Sequence, residues 1–105
     1  MMSTPVVDGD VLAALGILAE AVRTKSVVTC SYRGKSRVLE PQCVGIGHRG
    51  TPLVRVHQPR GGSATEPLFN VSEMRDIVVL DRHFLLPGPN YKRGDSMMRE
   101  IIAEL

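Results

Sequence analysis

The apolar residues of this chain change their spacing at Lys25, and that change limits the possible folds more than any other feature of the sequence. Before Lys25, four apolar residues recur at the spacing of one helix face: Val11, Leu15, Leu18 and Val22. After it, every second residue of the next segment is apolar, as in a half-buried strand: Val28, Cys30 and Tyr32. The sequence therefore predicts a helix at about 9–24, capped by Asp8 or Asp10, followed by β structure.

Turn residues divide the β-rich part of the chain into short pieces. The turns are expected at 33–36, 48–50 and 59–65, each of which contains glycine. The strands between them are expected at 27–32, 37–46, 53–58, 68–71 and 76–80. Pro41 indicates a bend or an edge position in the second strand. Because closure removes exposed edges, we expect a mainly β (α+β) fold, a small five-stranded SH3/Sm-like β-barrel at about 26–84.

The last part of the chain differs from the barrel. The run Leu86-Pro87-Gly88-Pro89 excludes regular structure. Asp95 or Ser96 then provides a cap for a C-terminal helix, so that 85–105 is expected to be a tail and a helix. The apolar side of that helix consists of Met97, Met98, Ile101, Ile102 and Leu105. With 105 residues in all, the chain is expected to form a single domain, 1–105.

Several classes of protein do not fit this sequence. No apolar run reaches the roughly 18–20 residues of a membrane span, and no signal peptide begins the chain, so we expect a cytoplasmic protein without a membrane partner. Cys30 and Cys43 are too few for a disulfide scaffold and are expected to be reduced, buried thiols. The three histidines, which are scattered, suggest no metal site: His48, His57 and His83.

Motifs of catalysis and of cofactor binding are also missing. The sequence has no nucleophile elbow, phosphate loop or zinc-protease helix. A glycine pattern at Gly45, Gly47 and Gly50 lies in a β-rich region and lacks the helix that would bind pyrophosphate. We expect no catalytic residues, no cofactor and a non-enzymatic protein.

Positive charge is concentrated in the middle of the chain. Residues 23–60 contain eight lysines and arginines against one acid, Glu40, although the whole chain has a formal charge of only +2. Such a strip indicates either a surface that binds anions or an ordinary solvated face with scattered arginines. The sequence leaves both open.

The stretch from Val27 to Phe84 resembles the WYL domain, an Sm-like β-barrel found mostly behind DNA-binding domains in bacterial regulators. The resemblance rests on Tyr32 at the end of the first strand and on four segments in order: Ser36–Pro41, Arg49–His57, Leu68–Met74 and Asp76–Phe84. The tail from Leu86 to Met98 is similar to that of short, free-standing bacterial members. The tripeptide that names the family is replaced by Pro52-Leu53-Val54. The resemblance implies a role in transcription regulation and binding of an effector or a nucleic acid, usually through a basic patch.

Five residues are candidates for ligand binding: Arg37, Arg55, His57, Arg49 and Tyr32. If Val54 and Val56 face the core, Arg55 and His57 point outward, with Arg37 on the neighbouring strand, and such forks hold phosphate or carboxylate. The alternatives are a structural ion pair of Arg37 with Glu40 or Asp76, an idle surface histidine, an ordinary turn residue at Arg49, and core packing of Tyr32 rather than stacking on a base.

The favoured function is a regulatory or accessory binding module for an anionic ligand, either a nucleic acid or a nucleotide-like effector. The alternative is a protein-interaction or assembly module, because the predicted C-terminal helix has an apolar face without an obvious partner in the chain. In that case a protein partner or a homo-oligomer is expected, and the basic residues only keep the protein dissolved.

Overall fold

The computed structural model describes residues 8–59 and 66–105, with side chains from residue 10. Within these ranges the chain forms one helix, α1, and six strands, β1 to β6. Their bounds are α1 Asp8–Thr24, β1 Ser26–Tyr32, β2 Lys35–Gly47, β3 Pro52–His57, β4 Leu68–Asn70, β5 Met74–His83 and β6 Met98–Glu104, with a 3-10 turn, Val71–Glu73, before β5. The prediction of a mainly β fold with an N-terminal helix is confirmed.

Helix α1 buries the apolar stripe that its spacing predicts. Leu18 and Val22 are at most 1% exposed, and both belong to the hydrophobic core. A side chain at Gly16 would contact nothing within 4 Å, so no other element approaches the helix closely there. Lys25 has a φ of 55°, the left-handed conformation that ends many helices, and it turns the chain into β1.

Strand β2 organises the sheet because it pairs with three other strands. The order is β4-β3-β2-β1-β5, all antiparallel, and β6 also pairs with β2. Strand β1 pairs with Lys35–Leu39, and β6 pairs with the later stretch Cys43–Gly47 along the same edge. The register with β3 shifts between Pro41 and Cys43. The irregularity that the proline predicts therefore lies where the pairing partner on the other edge of β2 changes from β1 to β6.

The predicted closed five-stranded barrel is not what the described residues form. The sheet remains open between β4 and β5, which are its two end strands. Strand β4 has only three residues, so it offers few backbone groups for a ladder with another strand. Side chains connect this part of the sheet instead: the Tyr32 ring of β1 stacks on Phe69 of β4 with centroids 3.9 Å apart, and the backbone N–H of Asn70 donates to the Tyr32 hydroxyl at 3.0 Å.

The predicted C-terminal helix is wrong, because the segment forms strand β6. Gly45 of β2 makes room for it: a Cβ there would lie 2.7 Å from Met98 Sδ and closer still to the Glu100 backbone oxygen. Met98 and Ala103 are buried, while Ile102 stays partly exposed at 38%. The spacing of apolar residues in this segment is compatible with a helix. Pairing with β2 instead satisfies the backbone hydrogen bonds of the segment, and this favours the strand.

The core lies between α1 and the sheet. Its fully buried aliphatic members are Leu18, Val28, Leu39, Val44, Val54 and Val56. A buried polar residue, Gln42, ties the tail to β2: its Oε1 accepts from the backbone N–H of Gly88 at 2.8 Å, and its Nε2 donates to the Glu40 carbonyl at 2.9 Å. The irregular tail is therefore held in place by hydrogen bonds.

The described part of the chain has neither a membrane-spanning helix nor a cluster of side chains that could hold a metal. No helix there is both long enough and apolar enough to cross a membrane. No group of three or more histidine, cysteine, aspartate and glutamate side chains stands close enough together to hold a metal ion.

Candidate functional site

Strand β3 orients two of the predicted ligand-binding residues. Val54 and Val56 are fully buried, so Arg55 and His57 lie on the opposite face, as the alternation predicts. Both remain partly exposed, with side chains 26% and 19% accessible. Each of them is already in contact with a carboxylate of the protein.

Arg55 binds Asp95, a residue 40 positions later in the chain. Its Nε donates to Asp95 Oδ2 at 2.8 Å and its Nη2 to Oδ1 at 3.2 Å, which is a bidentate pair. Nη1 donates to the Glu66 carbonyl at 3.2 Å. The Asp95 side chain is only 9% exposed, so the pair is largely shielded from water. Arg55 therefore joins β3 to the tail.

The Arg55 guanidinium lowers the pKa of the Asp95 carboxyl below its usual range, and the Met97 backbone N–H acts in the same direction, against the effect of burial. The pKa of Asp95 is therefore lower in the folded protein than in the unfolded chain, where it is about 3.9. The carboxylate contributes its full stabilisation above the unfolded-state pKa, and this stabilisation is lost as the pH falls through the folded-state pKa.

We therefore expect acid to reduce the free energy of unfolding of the parent protein more steeply than that of Asp95→Asn, below about pH 4. Urea denaturation at a series of pH values measures both slopes. Glu100→Gln, at an exposed carboxylate of β6, serves as the control and should keep the parent slope. Identical acid slopes for the parent and Asp95→Asn would contradict this role of the carboxylate.

His57 contacts Glu40 across the β2–β3 ladder, where the two residues are directly opposite each other. The distance from His57 Nδ1 to Glu40 Oε1 is 2.9 Å, at which a protonated Nδ1 donates to the carboxylate. The Glu40 side chain is 18% exposed. Glu40, which the sequence suggested as a partner for Arg37, is thus the partner of His57.

Arg37 differs from Arg55 and His57 because no carboxylate among the described residues lies within ion-pair distance of it. Its Nη1 donates to Gln58 Oε1 at 3.2 Å, and its Nη2 makes a long contact of 3.4 Å with the Tyr32 carbonyl. The Nε atom is buried and has no hydrogen-bond acceptor in the described structure. A guanidinium in this setting carries a positive charge that neutral acceptors only partly satisfy.

Tyr32 is next to Arg37 but is not available as a platform for bases. The ring is 5% exposed and packs face to face on Phe69. The Arg37 guanidinium carbon lies 5.7 Å from the Tyr32 centroid and 5.5 Å from the Phe69 centroid, beside this aromatic pair. The aromatic pair therefore supports Arg37, and the core-packing alternative for Tyr32 describes its position.

Other cations surround the same end of the sheet. Lys35 is directly opposite Tyr32 in the β1–β2 ladder and is exposed. Arg33 is also exposed and pairs with Glu73 at 3.0 Å. Arg49, by contrast, is exposed on the β2–β3 turn, away from Arg37 along β2. The structure thus groups Arg37 and Tyr32 with Lys35 and Arg33 and leaves Arg49 outside this group.

A cleft of about 470 Å³ lies where the tail passes β3, within the size range of small-molecule sites. Its walls consist of Arg55, Glu66 and the segment 90–96. The cations there mostly have acidic partners, since Arg55 pairs with Asp95 and Arg93 with Glu104 at 3.1 Å. The sequence analysis missed this cleft because its lining depends on where the tail packs.

The two cysteines are free and buried, as predicted. Burial is the main cause that raises the pKa of Cys30 to about 11 and that of Cys43 to about 12. The Cys43 thiol lies 3.6 Å from the Met98 sulfur, between β2 and β6. Thiols with such pKa values remain protonated at neutral pH and act as small apolar core groups.

Comparisons of this chain with protein-family models, with curated proteins and with solved structures gave no match.

Proposed function

We propose that this chain is a non-enzymatic binding module for an anionic ligand and that Arg37 is the residue that holds the anion. The observation that carries the proposal is the missing counter-charge of Arg37. Arg55 uses its Nε and Nη2 to bind both oxygens of Asp95. Arg37 has the same pair of donors, but its Nε has no acceptor in the described structure and its Nη2 has only the distant Tyr32 carbonyl.

Energetic considerations favour an anion at this position. A buried donor without an acceptor costs about 1–3 kcal/mol, and a phosphate or carboxylate oxygen would remove that cost. Arg37 is partly exposed as a residue, so its guanidinium is within reach from solvent, although the atoms that cover Nε must shift. The packing of Arg37 beside Tyr32 and Phe69 keeps the guanidinium in place before a ligand arrives.

The surrounding cations allow either a small or an extended anion. A nucleotide-like effector needs only the Arg37 fork, whereas a nucleic acid would also contact the exposed Lys35 and Arg33. Contacts with several phosphates give a steep dependence on salt, and a single fork gives a shallow one. The salt dependence therefore distinguishes the two ligand classes.

We also propose that the chain is related to WYL domains and has a barrel-like organisation. The proposal includes a bacterial cytoplasmic setting and a role in transcription regulation. Strands β1 to β5 occur in the order that the resemblance implies. The stacked Tyr32 and Phe69 rings connect β1 with β4 in the manner of an incompletely closed barrel. The family relationship itself stays a proposal.

The alternative of an assembly module was based on the apolar side of a C-terminal helix. Residues Met98–Glu104 instead form β6 and pair with β2, which removes that argument.

The test is to replace Arg37 with methionine and measure the binding of a nucleoside triphosphate and of a labelled single-stranded oligonucleotide at about 50 and 200 mM salt. Arg37→Met should weaken binding of the ligand about tenfold or more, since a hydrogen bond to a charged group is worth about 1.5–3 kcal/mol. Arg99→Met is the matched control, because Arg99 is exposed on β6 and has no ion pair in the described structure.

The stability of Arg37→Met decides whether the residue is structural. We expect its free energy of unfolding without ligand to stay within about 1 kcal/mol of the parent value, because the variant loses two weak hydrogen bonds and also a poorly satisfied charge. A loss well beyond this, or equal binding by the parent, Arg37→Met and Arg99→Met, would overturn the proposal.

A further inference from the structure

Glu73 holds its carboxylate between two donors close to the Arg37 site. Its Oε1 accepts from Arg33 Nε at 3.0 Å, and its Oε2 accepts from Asn70 Nδ2 at 3.3 Å. The Asn70 amide is itself oriented, because its Oδ1 accepts from the Ser72 backbone N–H at 3.0 Å. The two donors therefore form a position for an oxyanion, and a side chain of the protein fills it.

This oxyanion position and Arg37 lie around the same aromatic ring. The Arg33 guanidinium carbon is 5.1 Å from the Tyr32 centroid, and the Arg37 guanidinium carbon is 5.7 Å from it. Arg37 also lies 5.5 Å from the Phe69 centroid, beside the two stacked rings. Two linked anionic groups can contact both cations, because each group extends from its guanidinium by the length of a hydrogen bond.

The backbone conformation of Arg33 is unusual for an arginine. Arg33 and Gly34 form the turn between β1 and β2, with φ values of 52° and 78°. Turns with positive φ at both positions favour asparagine or aspartate before glycine, because most side chains are disfavoured in this conformation. Residues held in such conformations concentrate at binding sites. The arginine at this turn therefore points to a use of its guanidinium in binding.

The pair of Arg33 with Glu73 is exposed and opens easily. Its side chains are 65% and 42% accessible, so water screens their attraction. The pair of Arg55 with Asp95 is shielded, with side chains only 26% and 9% accessible. A ligand anion therefore displaces Glu73 from Arg33 more readily than it displaces Asp95 from Arg55.

We propose that the ligand carries a diphosphate group, with one phosphate held by Arg37 and the other held by Arg33 and Asn70 in place of the Glu73 carboxylate. Glu73 is then a built-in competitor, which a diphosphate displaces and a single phosphate leaves in position. This inference rests on the proposed anion site at Arg37 and names the chemical class of its ligand. A nucleic acid, whose phosphates are separated by sugars, is an outcome that the test distinguishes.

Calorimetric titration of the full chain with inorganic phosphate and with pyrophosphate tests the proposal. The parent protein should bind pyrophosphate more tightly than phosphate. Arg33→Asn should weaken pyrophosphate binding about tenfold and change phosphate binding less than about twofold, because hydrogen bonds from a charged group to the second phosphate are lost. Asparagine is favoured before glycine in this turn, so the variant should unfold at a urea concentration no lower than the parent does.

Arg75→Met is the matched control for Arg33→Asn. Arg75 is exposed and follows Met74, which lies opposite Tyr32 in the β1–β5 ladder, so Arg75 is on the other face of the sheet at the same end. Its replacement removes the same charge without touching the oxyanion position. It should therefore weaken the binding of phosphate and pyrophosphate equally and only slightly.

A second pair of variants tests the competitor. Glu73→Gln should strengthen pyrophosphate binding about two- to fivefold, since the ligand no longer displaces an exposed ion pair, and should leave phosphate binding unchanged. Asp76→Asn is the control, because Asp76 is an exposed carboxylate three residues later, and its φ of 55° is one that asparagine tolerates. It should leave the ratio of the two affinities at the parent value.

Arg37→Met separates failure of this inference from failure of the anion site. It should weaken the binding of both ligands. If it binds both as the parent does, or if the parent binds neither, the anion site and the diphosphate assignment both fail. If Arg37 is required but Arg33→Asn and Arg75→Met change the two affinities alike, only the diphosphate assignment is overturned. Binding of an oligonucleotide without a preference for pyrophosphate over phosphate would overturn it in favour of a nucleic acid.

Discussion

Replacing Gly45 with alanine is expected to destabilise the protein by about 2–3 kcal/mol, the upper part of the range for overpacking in a core. The added methyl group would meet the Glu100 backbone oxygen and Met98 Sδ, the latter at 2.7 Å. A flexible side chain can turn away, but a backbone oxygen in a ladder moves only if β6 moves. The effect should therefore appear as loss of β6 pairing, which amide exchange of residues 98–104 measures.

The control for Gly45→Ala is the same substitution at Gly16. A methyl group at Gly16 would meet nothing within 4 Å, and the residue lies inside α1. Alanine is favoured over glycine in helix interiors by about 1 kcal/mol, so Gly16→Ala should stabilise the protein. If Gly45→Ala were as stable as the parent, with amide protection at 98–104 unchanged, β6 would not be packed against Gly45.

The turn that precedes β6 shows why the C-terminal helix was predicted wrongly. The capping signal is real: the Asp95 carboxylate accepts from the Met97 backbone N–H at 3.0 Å, and the Asp95 carbonyl accepts from Met98 N–H at 3.0 Å. These contacts make one turn, after which the chain meets the free edge of β2. Whether that edge is free depends on where β1 ends, which local spacing does not reveal.

Local patterns were sufficient for the helix and the first three strands of the fold, whereas β5 is longer than the predicted 76–80 and largely exposed. The helical stripe predicted α1 to within one residue of its bounds, and the glycine turns separated β1, β2 and β3 correctly. Barrel closure could not be predicted in the same way. It depends on the length of β4 and on side-chain contacts such as that between Tyr32 and Phe69, which are distant in the sequence.

The same division applies to the candidate site. Alternation along β3 was enough to place Arg55 and His57 on one face, opposite two buried valines. Their counter-charges were not predictable, because Asp95 reaches Arg55 only through the packing of the tail. Glu40 was anticipated as the ion-pair partner of Arg37, but it contacts His57 instead. The reason is the β2–β3 register, which places Glu40 directly opposite His57.

A double-mutant cycle on Arg55 and Asp95 is expected to give a coupling energy of about 2 kcal/mol or more. Replacing Arg55 with methionine alone leaves a carboxylate that is only 9% exposed without its cation, and breaking a buried pair from one side costs about 3–5 kcal/mol. Because the Arg55 side chain is itself 26% exposed, the lower end of that range applies. Arg55→Met combined with Asp95→Asn should recover much of the loss, since no unpaired charge remains.

The matched cycle uses Arg33 and Glu73, a pair with a similar Nε–Oε1 distance of 3.0 Å but with side chains 65% and 42% exposed. Water screens such a pair, so its coupling energy should be much smaller than that of Arg55 with Asp95. Equal coupling in the two cycles would mean that the tail does not shield Asp95 as described. A large difference would establish that Arg55 is committed to a structural pair, and this in turn bears on the anion site. A ligand anion would have to displace Asp95 in order to bind Arg55, whereas at Arg37 it would have no carboxylate to displace.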